Sequence, residues 1–130
     1  MLNITKKVEY ALIAIHHMNN RGNLCSSREI SSIYNVPHEI MAKTLQKLCK
    51  IGYVKATKGS HGGYYLNISI NNVNLIEFIE NLEGPVGIVQ CLTDNNCDLI
   101  EQCNIKSPIN KINTNIRNIV SKVSLHDIAT

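Results

Sequence analysis

The stretch "QCLTDNNCDLIEQCNIK" sets three cysteines, Cys91, Cys97 and Cys103, at even six-residue steps. Thiolates are soft ligands, suited to zinc or to an iron–sulfur cluster. The spacing differs from the paired C-x2-C knuckle usual for structural zinc. Six residues turn an α-helix through about 600°, so cysteines on one helix would point about 120° apart. A loop wrapped round a centre can converge them where a regular helix cannot. Three thiols leave a four-ligand centre one short. Lys106, just past Cys103, is protonated at neutral pH and offers no lone pair. Candidates for the fourth place are Glu9, His16, His17, Asp94, Asp98 and Glu101. Two metal-free readings stand beside these: thiols buried as small hydrophobes, or a peroxide-sensing dithiol. Cys25 and Cys49 lie outside the segment, and Cys49 reads as a packing residue.

The elements that must position such residues follow from the apolar period. Over 5–19, Val8, Leu12, Ile15 and Met18 recur at helical spacing, with Thr5 as N-cap. "NNRGN" ends that helix. Ser26 or Ser27 then caps a short second helix, "SREISSIY", whose Ile30 and Ile33 are expected to face inward. Pro37 suits the first turn of a third helix, which buries Met41, Leu45 and Leu48 and stops at Gly52. Two short β-rich runs, "YVKAT" and "YYLNI", flank the turn "KGSHGG". This order is the outline of a winged helix, with the third helix as reader and the hairpin as wing. A further helix is expected over 72–84. In the last segment Ile105, Ile109, Ile112, Ile116, Ile119 and Val123 form a seam of two apolar positions in seven. Pro108 places the regular start of that helix nearby. So narrow a β-branched stripe wants a helical partner, and dimerisation is preferred to packing within its own domain. The expected fold class is mainly α with a small β-hairpin. It comprises a winged helix-turn-helix domain at 1–84, a cysteine-rich ligand-binding loop at 85–106, and a dimerisation helix with C-terminal tail at 107–130.

On this frame, His38, Glu39 and Lys43 stand at the start of the third helix, facing base edges. A carboxylate there can accept from cytosine's exocyclic amine, and a lysine can reach guanine or a phosphate. Lys6, Lys7 and Arg28 stand where phosphates are neutralised. In the wing, Lys58, Ser60 and His61 lie among Gly59, Gly62 and Gly63. Those glycines would let the tip approach a groove closely, where a basic side chain reads shape. Scattered lysines also make an ordinary solvated face, so the order of elements weighs more than any one of them.

Composition agrees with a globular chain. The 130 residues are 44% hydrophobic and 18% charged, enough for one sizeable core. A net charge of +3 permits a nucleic-acid partner without demanding one. "MLNITKKVEYALIAIHHM" is interrupted by Glu9 and does not read as a signal peptide. No apolar run reaches about eighteen residues, so no membrane span is expected. A cytoplasmic protein with reduced thiols follows, and an odd count of five cysteines suits no closed disulfide framework. The triplet has no nearby histidine base and contains no C-x-x-C pair, and there is no phosphate loop or dinucleotide fingerprint. The protein does not read as an enzyme.

The opening "ITKKVEYALIAI", the helix-turn-helix, "GYVKATKGSHGGYYL" and the cysteine triplet occur here in one order. In that order the chain resembles the Rrf-type family of winged helix-turn-helix iron–sulfur transcription regulators, IscR-like and NsrR-like, over essentially its whole length. The resemblance implies a homodimer that binds double-stranded operator DNA under control of a 2Fe-2S or 4Fe-4S cluster. It implies Cys91, Cys97 and Cys103 as cluster ligands, and redox state, nitric oxide or iron and cluster supply as the signal. IscR-like members complete the site with a histidine where this chain has Lys106. NsrR-like members use an acidic residue of the partner subunit's first helix, and Glu9 in "KKVEYAL" matches that position. By resemblance, then, Glu9 is the fourth ligand. A zinc-stabilised or thiol-switched regulator of the same fold is the alternative.

Overall fold

The computed structural model describes residues 4–60, 62–84 and 106–129. Cys91, Cys97, Cys103, His61, Asp94, Asp98 and Glu101 fall outside these residues. The chain divides into two compact units, one over Thr5–Ile70 and one built on Asn71–Thr130.

In the first unit, helix α1 (Lys6–Arg21) begins where the extended Thr5 accepts the Val8 N–H at 3.3 Å. It ends at Gly22, a left-handed residue with φ 72° whose N–H returns to Met18 O. Its inner face buries Val8, Ala11, Ala14, Ile15 and Met18, while Leu12 is only half-buried. Helix α2 (Ser27–Tyr34) is capped by Ser26, whose hydroxyl accepts the Glu29 N–H at 3.0 Å. Ile30 is fully buried, but Ile33 is 55% exposed, against the expectation. The buried arc of this short helix is centred between Ile30 and Ser31, and Ile33 stands about 110° from that centre. Ser31 tolerates burial because its hydroxyl donates to Arg28 O at 3.0 Å. Helix α3 (His38–Ile51) buries Met41, Thr44, Leu45 and Leu48. Pro37 stands at its N-cap, one place ahead of the expected first turn, and Gly52 (φ 103°) closes it.

Strands β1 (Val54–Thr57) and β2 (Gly63–Leu66) pair antiparallel, with Val54 opposite Leu66 and Thr57 opposite Gly63. A second connection reaches β2: Cys25 N–H donates to Tyr64 O at 2.9 Å, and Tyr64 N–H donates to Cys25 O at 2.7 Å. Two wing glycines therefore have internal reasons beyond approach to a groove. A Cβ on Gly62 would lie 2.3 Å from Thr57 O, and one on Gly63 would lie 3.0 Å from Cys25 O. Gly62→Ala must push the turn apart, and overpacking of this kind costs about 1–3 kcal/mol. Urea unfolding of the variant should show that loss as a lower midpoint at unchanged slope.

A 3-10 turn, Ile70–Asn72, spans the boundary between the units, and helix α4 (Leu75–Glu83) follows in the second. Asn74 caps α4 by accepting the Glu77 N–H at 2.8 Å, so the helix starts three residues later than expected. Helix α5 (Lys106–Ser121) begins two residues before Pro108. Proline is tolerated there because the first helical N–H groups lack intrahelical partners. α5 packs on α4, and Arg117 forms an ion pair with Glu80. The chain beyond α5, expected as a tail, pairs with the start of α4: Leu75 N–H reaches Val123 O at 2.8 Å and Leu125 N–H reaches Val73 O at 3.0 Å. It then forms a short helix, α6 (Leu125–Ala129), with Leu125 only 1% exposed. Ser124 and Asp127 cap it reciprocally, each backbone N–H donating to the other's side chain.

Along the α5 seam, Ile112 and Ile119 are 49% and 67% exposed, and Ile109 and Ile116 are half-buried. Val123 lies two residues past the helix end. The fold class is the expected one, mainly α with a small hairpin arranged as a winged helix. Among the described residues no helix is long and apolar enough to cross a membrane.

Candidate functional site

The first unit presents one set of sequence-predicted residues to solvent. Lys6, Lys7, Arg28, His38, Glu39, Lys43, Lys58 and Ser60 are all exposed. In α3, Met41, Thr44, Leu45 and Leu48 anchor the helix, while His38, Glu39 and Lys43 stay outside with Ile40, which is 42% exposed. His38 Nε2 lies 3.2 Å from Ser27 Oγ, which ties the start of α3 to the start of α2. Lys58 and Ser60 sit in the hairpin turn beside Gly59, which takes φ 110°. An exposed basic turn following a helix that presents His38, Glu39 and Lys43 to solvent can meet phosphates and a groove together.

Of the four ligands that the resemblance implies, Cys91, Cys97, Cys103 and Glu9, the structure describes Glu9 alone. It lies in the first turn of α1, 47% exposed at its side chain, with Oε2 3.2 Å from Lys6 Nζ. So exposed a pair contributes about 0–1 kcal/mol, and the carboxylate can exchange this partner for another at little cost.

A further constellation, which spacing did not reveal, lies inside the same unit. His17 on α1 is 9% exposed, and both ring nitrogens are engaged. Nδ1 lies 3.0 Å from Tyr34 Oη, and Nε2 lies 2.9 Å from Glu29 Oε2. Arg21 Nη2 stands 3.3 Å from the other carboxylate oxygen. Cys25, 1% exposed, donates its S–H to Asn23 O at 3.5 Å. One ligand atom each from His17, Cys25 and Glu29 all fall within 4.8 Å of one another. The hydrogen bond to His17 is the main cause holding the Glu29 carboxyl below its ordinary range, with Cys25 and Arg21 adding to it. Stability drawn from this carboxylate is therefore present above the ordinary carboxyl range and is lost as pH falls through the lowered value. Burial pushes the Cys25 thiol up to about 11, and the neighbouring Glu29 charge adds to that. Sequence reasoning had His17 only as one candidate for a fourth ligand and left Cys25 aside. The available signal was a histidine set within the apolar stripe of α1, next to Met18.

Known proteins resemble this chain over nearly its whole length. The Rrf2 family, described as "Iron-dependent Transcriptional regulator", matches residues 4–130. The HTH-type transcriptional regulator NsrR of Bacillus licheniformis is 25% identical over 131 residues, spanning 98% of this chain and 92% of that protein. Among solved structures, CymR, the global cysteine regulator of B. subtilis, superposes with a TM-score of 0.76 at 22% identity, over 99% of this chain and 97% of that one. IscR of T. potens gives a TM-score of 0.72 at 20% identity, over 98% and 85%. These structural likenesses show a shared winged-helix fold.

Proposed function

The chain belongs to the Rrf2 family of transcriptional regulators, and from that premise we propose that it is a homodimer whose hold on operator DNA is governed by an iron–sulfur cluster. Cys91, Cys97 and Cys103 are the thiolate ligands in this reading, and Glu9 of the partner subunit is the fourth. The observation that carries it is the even cysteine triplet in a chain of this family. Segment 85–106 then serves as the cluster loop, between the winged domain at 1–84 and the dimerisation helix that follows. The relatives are transcriptional regulators, which supports a role outside catalysis.

Glu9 suits the donor set. Its carboxylate is exposed at the start of α1 and held only by a weak surface pair with Lys6. When bound, the cluster would supply iron–thiolate bonds sensitive to oxidants, nitric oxide and iron supply. The chain's own residues would transmit that state. Glu9 belongs to α1, and α1 packs against α3 in the same unit. A bond from Glu9 to iron held by the partner subunit's cysteines would fix one subunit's α1, and with it α3, against the other subunit. Half-sites lie about 34 Å apart per helical turn, so both α3 helices engage at only certain spacings. Releasing Glu9 frees that spacing, and a change of a few kcal/mol in the competent population is enough for a switch.

Anaerobic purification with iron, acid-labile sulfide and zinc counted per chain tests the reading. The expected result is iron and sulfide in near-equal amounts with broad visible absorption. Glu9→Ala should keep its helix content and lose the cluster faster in air. A colourless chain, or one carrying zinc alone, would replace this reading with the zinc-stabilised or thiol-switched regulator.

A further inference from the structure

We propose that His17, Cys25 and Glu29 form a second metal site, of the zinc class, inside the DNA-reading unit and separate from the cysteine segment. A thiolate, an imidazole and a carboxylate make a borderline-soft donor set that suits Zn2+ and its tetrahedral analogues. The three ligand atoms already lie within 4.8 Å of one another. In a tetrahedral zinc site with bonds of about 2.0–2.3 Å, neighbouring ligand atoms stand about 3.3–3.7 Å apart. His17 Nε2 and Glu29 Oε2, at 2.9 Å, need to open slightly, and Cys25 Sγ needs to close in.

Outer contacts favour the same arrangement. Tyr34 Oη, 3.0 Å from His17 Nδ1, can accept a hydrogen bond from Nδ1–H, which leaves the Nε2 lone pair directed into the cluster. Arg21 holds Glu29 Oε1 at 3.3 Å, which leaves Oε2 to coordinate. On metal uptake the Cys25 thiol proton goes to solvent as the sulfur–metal bond forms. The proton that Nε2 donates to Glu29 leaves to solvent, the neutral ring keeping one proton at Nδ1, and the freed Nε2 and Oε2 lone pairs each form one coordinate bond. The fourth position is left to water. Glu29, 26% exposed at its side chain, gives the ion its way in.

The three ligands come from three places: α1, the residue bridged to Tyr64 of the wing, and α2. A bound ion would therefore brace helix-turn-helix and wing together, a metal input to DNA binding independent of the cluster.

Cobalt(II) is a suitable probe, because thiolate–cobalt charge transfer is visible in the near ultraviolet. The titration uses the full chain carrying Cys91→Ser, Cys97→Ser and Cys103→Ser, which removes the other site. One cobalt per chain should bind with a thiolate band that zinc then displaces. Cys25→Ser should abolish the band, and His17→Gln and Glu29→Gln should weaken binding at least tenfold. Cys49→Ser should change nothing. Absence of a stoichiometric thiolate band, or its survival in Cys25→Ser, would overturn the proposal. Wild-type protein as purified, with its cysteine segment loaded, gives a parallel reading by elemental analysis after zinc incubation. One extra zinc per chain supports the site, and none refutes it, so a variant that fails to fold does not leave the question open. Failure of the cluster reading would appear separately, as missing iron and sulfide in the wild type.

Discussion

Replacing Ile112 and Ile119 together by glutamate should break the proposed homodimer into monomers and lower operator affinity by about a hundred-fold or more. The two residues are seven apart on α5 and are 49% and 67% exposed in the single chain. Large β-branched side chains at one heptad position, left half open to water, are what a helix looks like before its partner is added. Fully burying an isoleucine gives about 1.5–3 kcal/mol, and two subunits each contribute the pair. Glutamates there would instead oppose their own copies across a two-fold axis, like charge against like charge. Both positions are exposed within the chain, so helix content should be unchanged. Light scattering on a sizing column reads the mass, and fluorescence anisotropy at fixed salt reads operator binding. A variant that stays dimeric would remove α5 from the interface.

Leu45→Ala should have the largest effect on stability. Leu45 is fully buried in the middle of α3, between Met41 and Leu48 on the inner face. Truncating a buried leucine costs about 2–5 kcal/mol, from lost transfer energy and the cavity left behind. Against a total of about 5–15 kcal/mol for a domain, that is a large share. The melting temperature should fall by roughly 8–20 °C. Operator binding should weaken in step with the folded fraction, since the polar side chains of α3 are unchanged. A fall in affinity at temperatures where the variant is fully folded would show that the core of α3 also sets the position of its outer face.

Where an element is bounded by local chemistry, the structure matches the reading of the chain. Thr5, Ser26, Gly22 and Gly52 each satisfy or end a helix through their own backbone or side chain, and such signals travel with the residue. The α5 period was equally legible, because a two-in-seven pattern needs no knowledge of its surroundings. Ile33 misled because eight residues are too few for the period to separate neighbouring faces. The return of 123–125 to pair with 73–75 depends on residues some fifty positions apart, which no window detects. The His17–Cys25–Glu29 group was hidden for the same reason: its members meet only when α1, the following loop and α2 have packed. The DNA-facing residues lie between these cases. Their exposure follows from the apolar pattern of their neighbours, while their joint use rests on the winged-helix arrangement as a whole.

The double hydrogen bond between Cys25 and Tyr64 also bears on how the unit breathes. β2 is held by β1 along one edge and by Cys25 along the other. A hairpin stitched on one side can peel open from its tip as a flap. Stitched on both sides, its root opens only when the loop between α1 and α2 opens with it. Local unfolding proceeds in such cooperative blocks. The base of the wing thus shares the slow opening rate of the helical core to which β1 and Cys25 tie it.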